Sequence, residues 1–161
     1  MLIESVLGNL KDEEYSGYTA DFFMVEWFDT FKKIHHGATG KGVKVDLRLG
    51  DWVLKHGLSQ GDVLFVDEEA ETVIAIDIPP CEMIIVKINP EYPEMAAKVC
   101  YEIGNKHAAL FFGENNQEFV TPYNEPTMLL LGKLHGVTVE KKIKKPDFNL
   151  KISSVVHSHT H

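Results

Sequence analysis

The chain has 161 residues, a formal charge of −8 with histidine neutral and 44% apolar residues, the balance of an ordinary folded protein. That acidic balance excludes a nucleic-acid binder that works by neutralising phosphates. No apolar run is long enough to cross a bilayer and Glu4 interrupts any basic-then-apolar leader, so the expectation is a cytoplasmic protein with no membrane partner.

Two cysteines, Cys81 and Cys100, make neither a disulfide framework nor a pair of zinc knuckles. Cys100 lies on the apolar face of a helical pattern and is expected as a small core residue. The length allows two small domains of roughly 80 residues each, small enough that an interface or an oligomer should support them.

Residues 1–78 read as β structure. Leu2 to Leu7 is a short apolar run ended by Gly8-Asn9, and Phe22 to Phe28 is a second, aromatic one. From Gly42 to Leu49, Val43, Val45, Leu47 and Leu49 alternate with Lys44, Asp46 and Arg48, which predicts a strand with one buried face. Val63 to Val66 and Thr72 to Ile78, joined by the acidic stretch Asp67 to Glu71, predict a hairpin. Five or six short strands without a helix predict an all-β, antiparallel sandwich or barrel-like domain.

This half also holds His35-His36 before Gly37-Ala38-Thr39-Gly40-Lys41-Gly42. A phosphate-binding loop would need Gly in place of His35 and Ser or Thr in place of Gly42, so the segment predicts a hairpin turn with its histidines in a surface loop. Pro79-Pro80 marks the boundary, because proline donates no ladder bond and holds its predecessor extended. Residues 79–81 are the expected linker.

Residues 82–143 alternate element types. Glu82 to Ile88 predicts a strand and Pro93 to Ile103 a helix; His107 to Phe112 and Glu118 to Thr121 predict two strands around Gly113 to Gln117. A second helix is expected from about Pro126 to Leu134, capped by Asn124 or Glu125 and stopped by Gly136, and Val137 to Ile143 predicts the last strand. The order β-α-β-β-α-β predicts an α+β, ferredoxin-like domain with one sheet face free of helices. The tail, residues 144–161, begins Lys144-Lys145-Pro146-Asp147 as a linker. Phe148, Leu150 and Ile152 then alternate as in an extended segment that docks, and His157, His159 and His161 share a spacing of two.

The chemistry concentrates around His107. Met95, Ala96, Val99, Cys100 and Ile103 recur at helical spacing, and Gly104 is the expected left-handed stop. His107 is then expected just past a helix C-terminus, opening a strand in which His107, Ala109 and Phe111 share one side. The negative end of such a helix favours a cation, and a neutral imidazole is a nitrogen ligand for a borderline transition metal. One histidine holds no metal alone; a two-fold axis near His107 would bring two copies together, and an extended tail would put three more imidazoles on one side.

The segment Cys100-Tyr101-Glu102-Ile103-Gly104-Asn105-Lys106-His107-Ala108-Ala109-Leu110, together with Leu58-Ser59-Gln60-Gly61-Asp62-Val63-Leu64-Phe65 and the histidine tail, resembles the UreE family of urease accessory proteins, Helicobacter-type. The resemblance implies a nickel metallochaperone that delivers Ni(II) during urease assembly, with Zn(II) or Cu(II) able to bind the same site. It implies a homodimer in which His107 meets its symmetry mate, assisted by His157 first and by His159 and His161. It further implies a peptide-binding-like first domain, a metal-binding second domain, and docking onto the urease apoprotein and onto accessory proteins including a UreG-type GTPase. Lys106 stands where many members have Arg, so a planar bidentate contact is not expected there. The competing reading is a protein-interaction module that binds extended peptides at a sheet edge, with metal incidental. No paired nucleophile and histidine and no glycine-rich nucleotide loop points to an enzyme.

Overall fold

The structure is a computed structural model that describes residues 1–152. They fall into two compact units, residues 1–79 and 80–152. The described chain is mostly β, with three α-helices, several sheets and no closed barrel.

In the first unit the strands are β1 (Leu2–Ile3), β2 (Gly8–Asn9), β3 (Thr19–Met24), β4 (Ile34–Ala38), β5 (Lys44–Arg48), β6 (Asp62–Asp67) and β7 (Thr72–Asp77), with a one-turn helix α1 (Val53–His56) between β5 and β6. They form two sheets, ordered β1-β5-β4 and β2-β6-β7-β3. The alternation in β5 is real: Val45 and Leu47 are buried while Lys44, Asp46 and Arg48 face water. Strand β7 lies between β6 and β3 and buries Val73, Ile74, Ala75 and Ile76 in succession, as a strand covered on both faces does. The expected β6–β7 hairpin is present.

Three expectations for this half are corrected. The sheets are not wholly antiparallel, because β1 pairs β5 and β3 pairs β7 in parallel. Parallel partners are joined by long connections, so no local turn signal announces them. The barrel-like alternative fails because the strands form two open sheets. His35 and His36 do not sit in a surface loop: they lie on β4, where His35 faces Leu47 and His36 faces Asp46 across the antiparallel pair with β5. The hairpin turn falls just after them, where Thr39 N and Val43 O close it at 2.9 Å.

The second unit runs β8 (Cys81–Ile88), α2 (Met95–Asn105), β9 (Phe111–Phe112), β10 (Glu118–Pro122), α3 (Glu125–Gly132) and β11 (Val137–Lys144). Cys81, expected in the linker, opens β8. The sheet order is β11-β8-β10-β9 with every neighbouring pair antiparallel, an arrangement compatible with the expected ferredoxin-like domain. Ile84, Val86 and Ile88 on one face of β8 pack with Val99 and Ile103 of α2 and Leu131 of α3. Full burial of each such side chain stabilises by about 1.5–3 kcal/mol.

Asn124 caps α3 as expected, its side-chain oxygen accepting from Thr127 N at 3.1 Å and from the Thr127 hydroxyl at 3.0 Å. The sheet face turned away from the helices is partly covered by the chain itself. A 3-10 turn at Phe148–Leu150 sets the Phe148 ring edge-on against Phe111, with centroids 5.9 Å apart.

Candidate functional site

Helix α2 runs beyond the glycine expected to stop it. Gly104 lies inside the helix with negative φ, and the left-handed residue is His107, at φ +55°. Lys106 is the cap; His107 N donates to Gly104 O at 3.0 Å and Ala108 N donates to Ile103 O at 3.3 Å. These two bonds, with Ala108 packed on the same core as Ile103, are the paired closure of a Schellman motif, with histidine where glycine usually stands. A side chain in that conformation costs roughly 1–2 kcal/mol. Among the described residues Glu71 is the one other non-glycine with positive φ.

His107 is therefore not on a strand. Strand β9 starts only at Phe111, so the alternation expected for His107 and Ala109 does not apply. The imidazole is exposed and makes no hydrogen bond or ion pair among the described residues. It follows the last turn of α2, and the negative end of the helix dipole there favours a cation.

Of the other described histidines, His56 is exposed in the last turn of α1 with no side-chain partner among the described residues, and the remaining three are engaged. His36 Nδ1 meets Asp46 Oδ1 at 2.7 Å, and this hydrogen bond holds the Asp46 carboxyl below the usual carboxylate range. His35 Nε2 lies 3.0 Å from Lys32 O, and the His135 ring packs edge-on against Tyr92 with centroids 4.4 Å apart. Among the described residues no three His, Cys, Asp or Glu side chains come together as a metal cage. His157, His159 and His161 lie outside the described residues. The structure thus places His107 outside any group of three such side chains among the described residues.

No family model matches the chain. The urease accessory protein UreE of Helicobacter pylori strain Shi470 is 44% identical over 134 residues, covering 83% of this chain and 76% of that protein. The protein of the same name from strain G27 is 38% identical with 96% of each chain covered. That of Helicobacter bizzozeronii is 40% identical, covering 83% of this chain and 73% of its own. The chain belongs to the UreE family.

As a Helicobacter-type UreE family member it carries two local features that the sequence alone did not single out. Lys106 Nζ donates to the Thr127 hydroxyl at 3.3 Å, and Thr127 is tied in turn to Asn124, so the end of α2 is pinned to the start of α3 beside His107. A single ammonium contact serves here, consistent with Lys rather than a forked Arg. The second feature is the Ile103–Ala108 pair: two apolar residues five apart around Gly-Asn-Lys-His are the signal that would have located the left-handed position. Cys100 packs against the core, as the sequence predicts. It is free and half-buried against the core, and burial pushes its thiol above the ordinary range, away from the thiolate that binds metal. No helix among the described residues is long and apolar enough to cross a membrane.

Proposed function

We propose that this chain is a urease accessory metallochaperone that binds Ni(II) as cargo, through His107, and delivers it during urease active-site assembly. The observation that carries this reading is the conformation of His107. An exposed imidazole without a polar partner among the described residues occupies a left-handed position that glycine would fill with less strain. Membership of a family named for a urease accessory role supplies the assembly it serves. The protein is a carrier in this reading, not a catalyst.

The functional unit is a homodimer in which two copies of His107 meet, with His157, and then His159 and His161, completing the ligand set. Two exposed apolar side chains on the helical layer support a partner there: Leu129 is 59% exposed on α3, whose Met-Leu-Leu-Leu run is apolar around most of its circumference, and Tyr101 is 67% exposed on α2. Imidazole ligands also admit Zn(II) and Cu(II), which the affinity order makes competitors for the site. A site assembled from two subunits and a tail sheds ligands one at a time, which suits transfer to the urease apoprotein or to a UreG-type GTPase in the cytoplasm.

Calorimetric titration of Ni(II) into the full chain tests the reading. The expected result is one tight site per dimer and, in His107→Ala, an affinity lower by at least about a hundredfold, since even outer-sphere changes at metal sites cost 10–100-fold. Unchanged affinity in His107→Ala would remove His107 from the site and the reading with it.

A further inference from the structure

We propose that the segment Phe148–Ile152 is a positioning anchor that holds the root of the histidine-bearing tail beside the turn presenting His107. The proposal rests on the reading of His107 and the tail histidines as ligands, and deepens it. Strand β9 is the outermost strand of its sheet, so its outer edge offers unpaired backbone groups. The chain's own tail takes that edge: Lys151 bridges Phe111 in antiparallel fashion, and Ile152 N donates to Leu110 O at 2.8 Å. A 3-10 turn makes the approach, with Asp147 Oδ1 accepting from Asn149 N at 3.0 Å and Leu150 N donating to Asp147 O at 3.0 Å. The turn delivers the Phe148 ring to Phe111 with the planes at 77°.

Edge protection accounts for pairing on β9, which is two residues long, and the place of that pairing also bears on the tail. Leu110 is three residues from His107, a distance of at most about 10 Å along the chain, and His157 follows Ile152 by five residues, a reach of at most about 17 Å. The anchor therefore keeps the first tail imidazole within reach of His107. Were it released, the nearest fixed point would be Lys144 at the end of β11, thirteen residues from His157. Effective concentration falls roughly as the −3/2 power of tether length, so lengthening from five to thirteen residues lowers it roughly fourfold.

The test uses the full chain, Ni(II) with a competing chelator, and the variant Ile152→Pro, whose ring nitrogen cannot donate to Leu110 O. Ile152→Val keeps that donor and serves as the control. The expected result is a loss of Ni(II) affinity of up to about fourfold in Ile152→Pro, parent-like affinity in Ile152→Val, and no effect of Ile152→Pro in a chain ending at Val156. Equal losses in the full and shortened chains would make the segment a structural strap only and overturn the anchor, as would an unchanged affinity in the full chain. If shortening to Val156 itself leaves Ni(II) affinity intact, the tail is not a source of ligands, and the ligand set proposed above fails independently of where its root is held.

Discussion

Helices α2 and α3 both hand the chain to a strand through a residue of positive φ, His107 at +55° after the first and Gly136 at +72° before β11. The two positions differ in what surrounds them. At Gly136 a Cβ would meet the Tyr92 ring at 2.7 Å, and the Gly136 carbonyl accepts from Asn89 N at 2.7 Å to tie β11 to the end of β8. Packing and conformation both demand glycine there, and glycine is present. At His107 the side chain is exposed and conformation alone would favour glycine, yet a histidine is present. The fold explains the first residue and leaves the second to be explained by what an imidazole does.

The largest effect expected from breaking this contrast is at the packed exit. Gly136→Ala adds left-handed strain to a collision with Tyr92 and should destabilise by about 2–5 kcal/mol in urea unfolding, from roughly 1–2 for the conformation and 1–3 for overpacking. A loss below about 1 kcal/mol would mean that the two exits are not opposites. A smaller effect of opposite sign sharpens the other exit. Gly104 lies inside α2 with nothing within 4 Å of where a methyl group would stand, so Gly104→Ala should stabilise by about 0.5–1 kcal/mol. Were Gly104 the left-handed stop, the same change would destabilise.

That second comparison shows where the sequence can be read and where it cannot. The alternation around Val45 and Leu47, the β6–β7 hairpin, the Asn124 cap and the β-α-β-β-α-β order are local patterns, legible residue by residue. The end of α2 is misplaced from sequence because glycine is the commonest helix stop, and the rival signal is a single apolar pair, Ile103 and Ala108, five residues apart. The parallel pairings of β1 with β5 and β3 with β7 carry no local signal at all. His36 is legible as a histidine but not as the cross-strand partner of Asp46, which depends on register. Of the candidate site, His107 is found by its place after a helix, but its left-handed backbone, the reason it stands out physically, comes only with the structure.

The central claim is that His107 is kept for its imidazole against the preference of the backbone. The variant His107→Gly tests it most directly, with thermal or urea unfolding and Ni(II) titration run on the same preparation. The account predicts stability unchanged or higher by up to about 1 kcal/mol, together with loss of tight Ni(II) binding. A variant that is clearly less stable, or that binds Ni(II) as tightly as the parent chain, would contradict it.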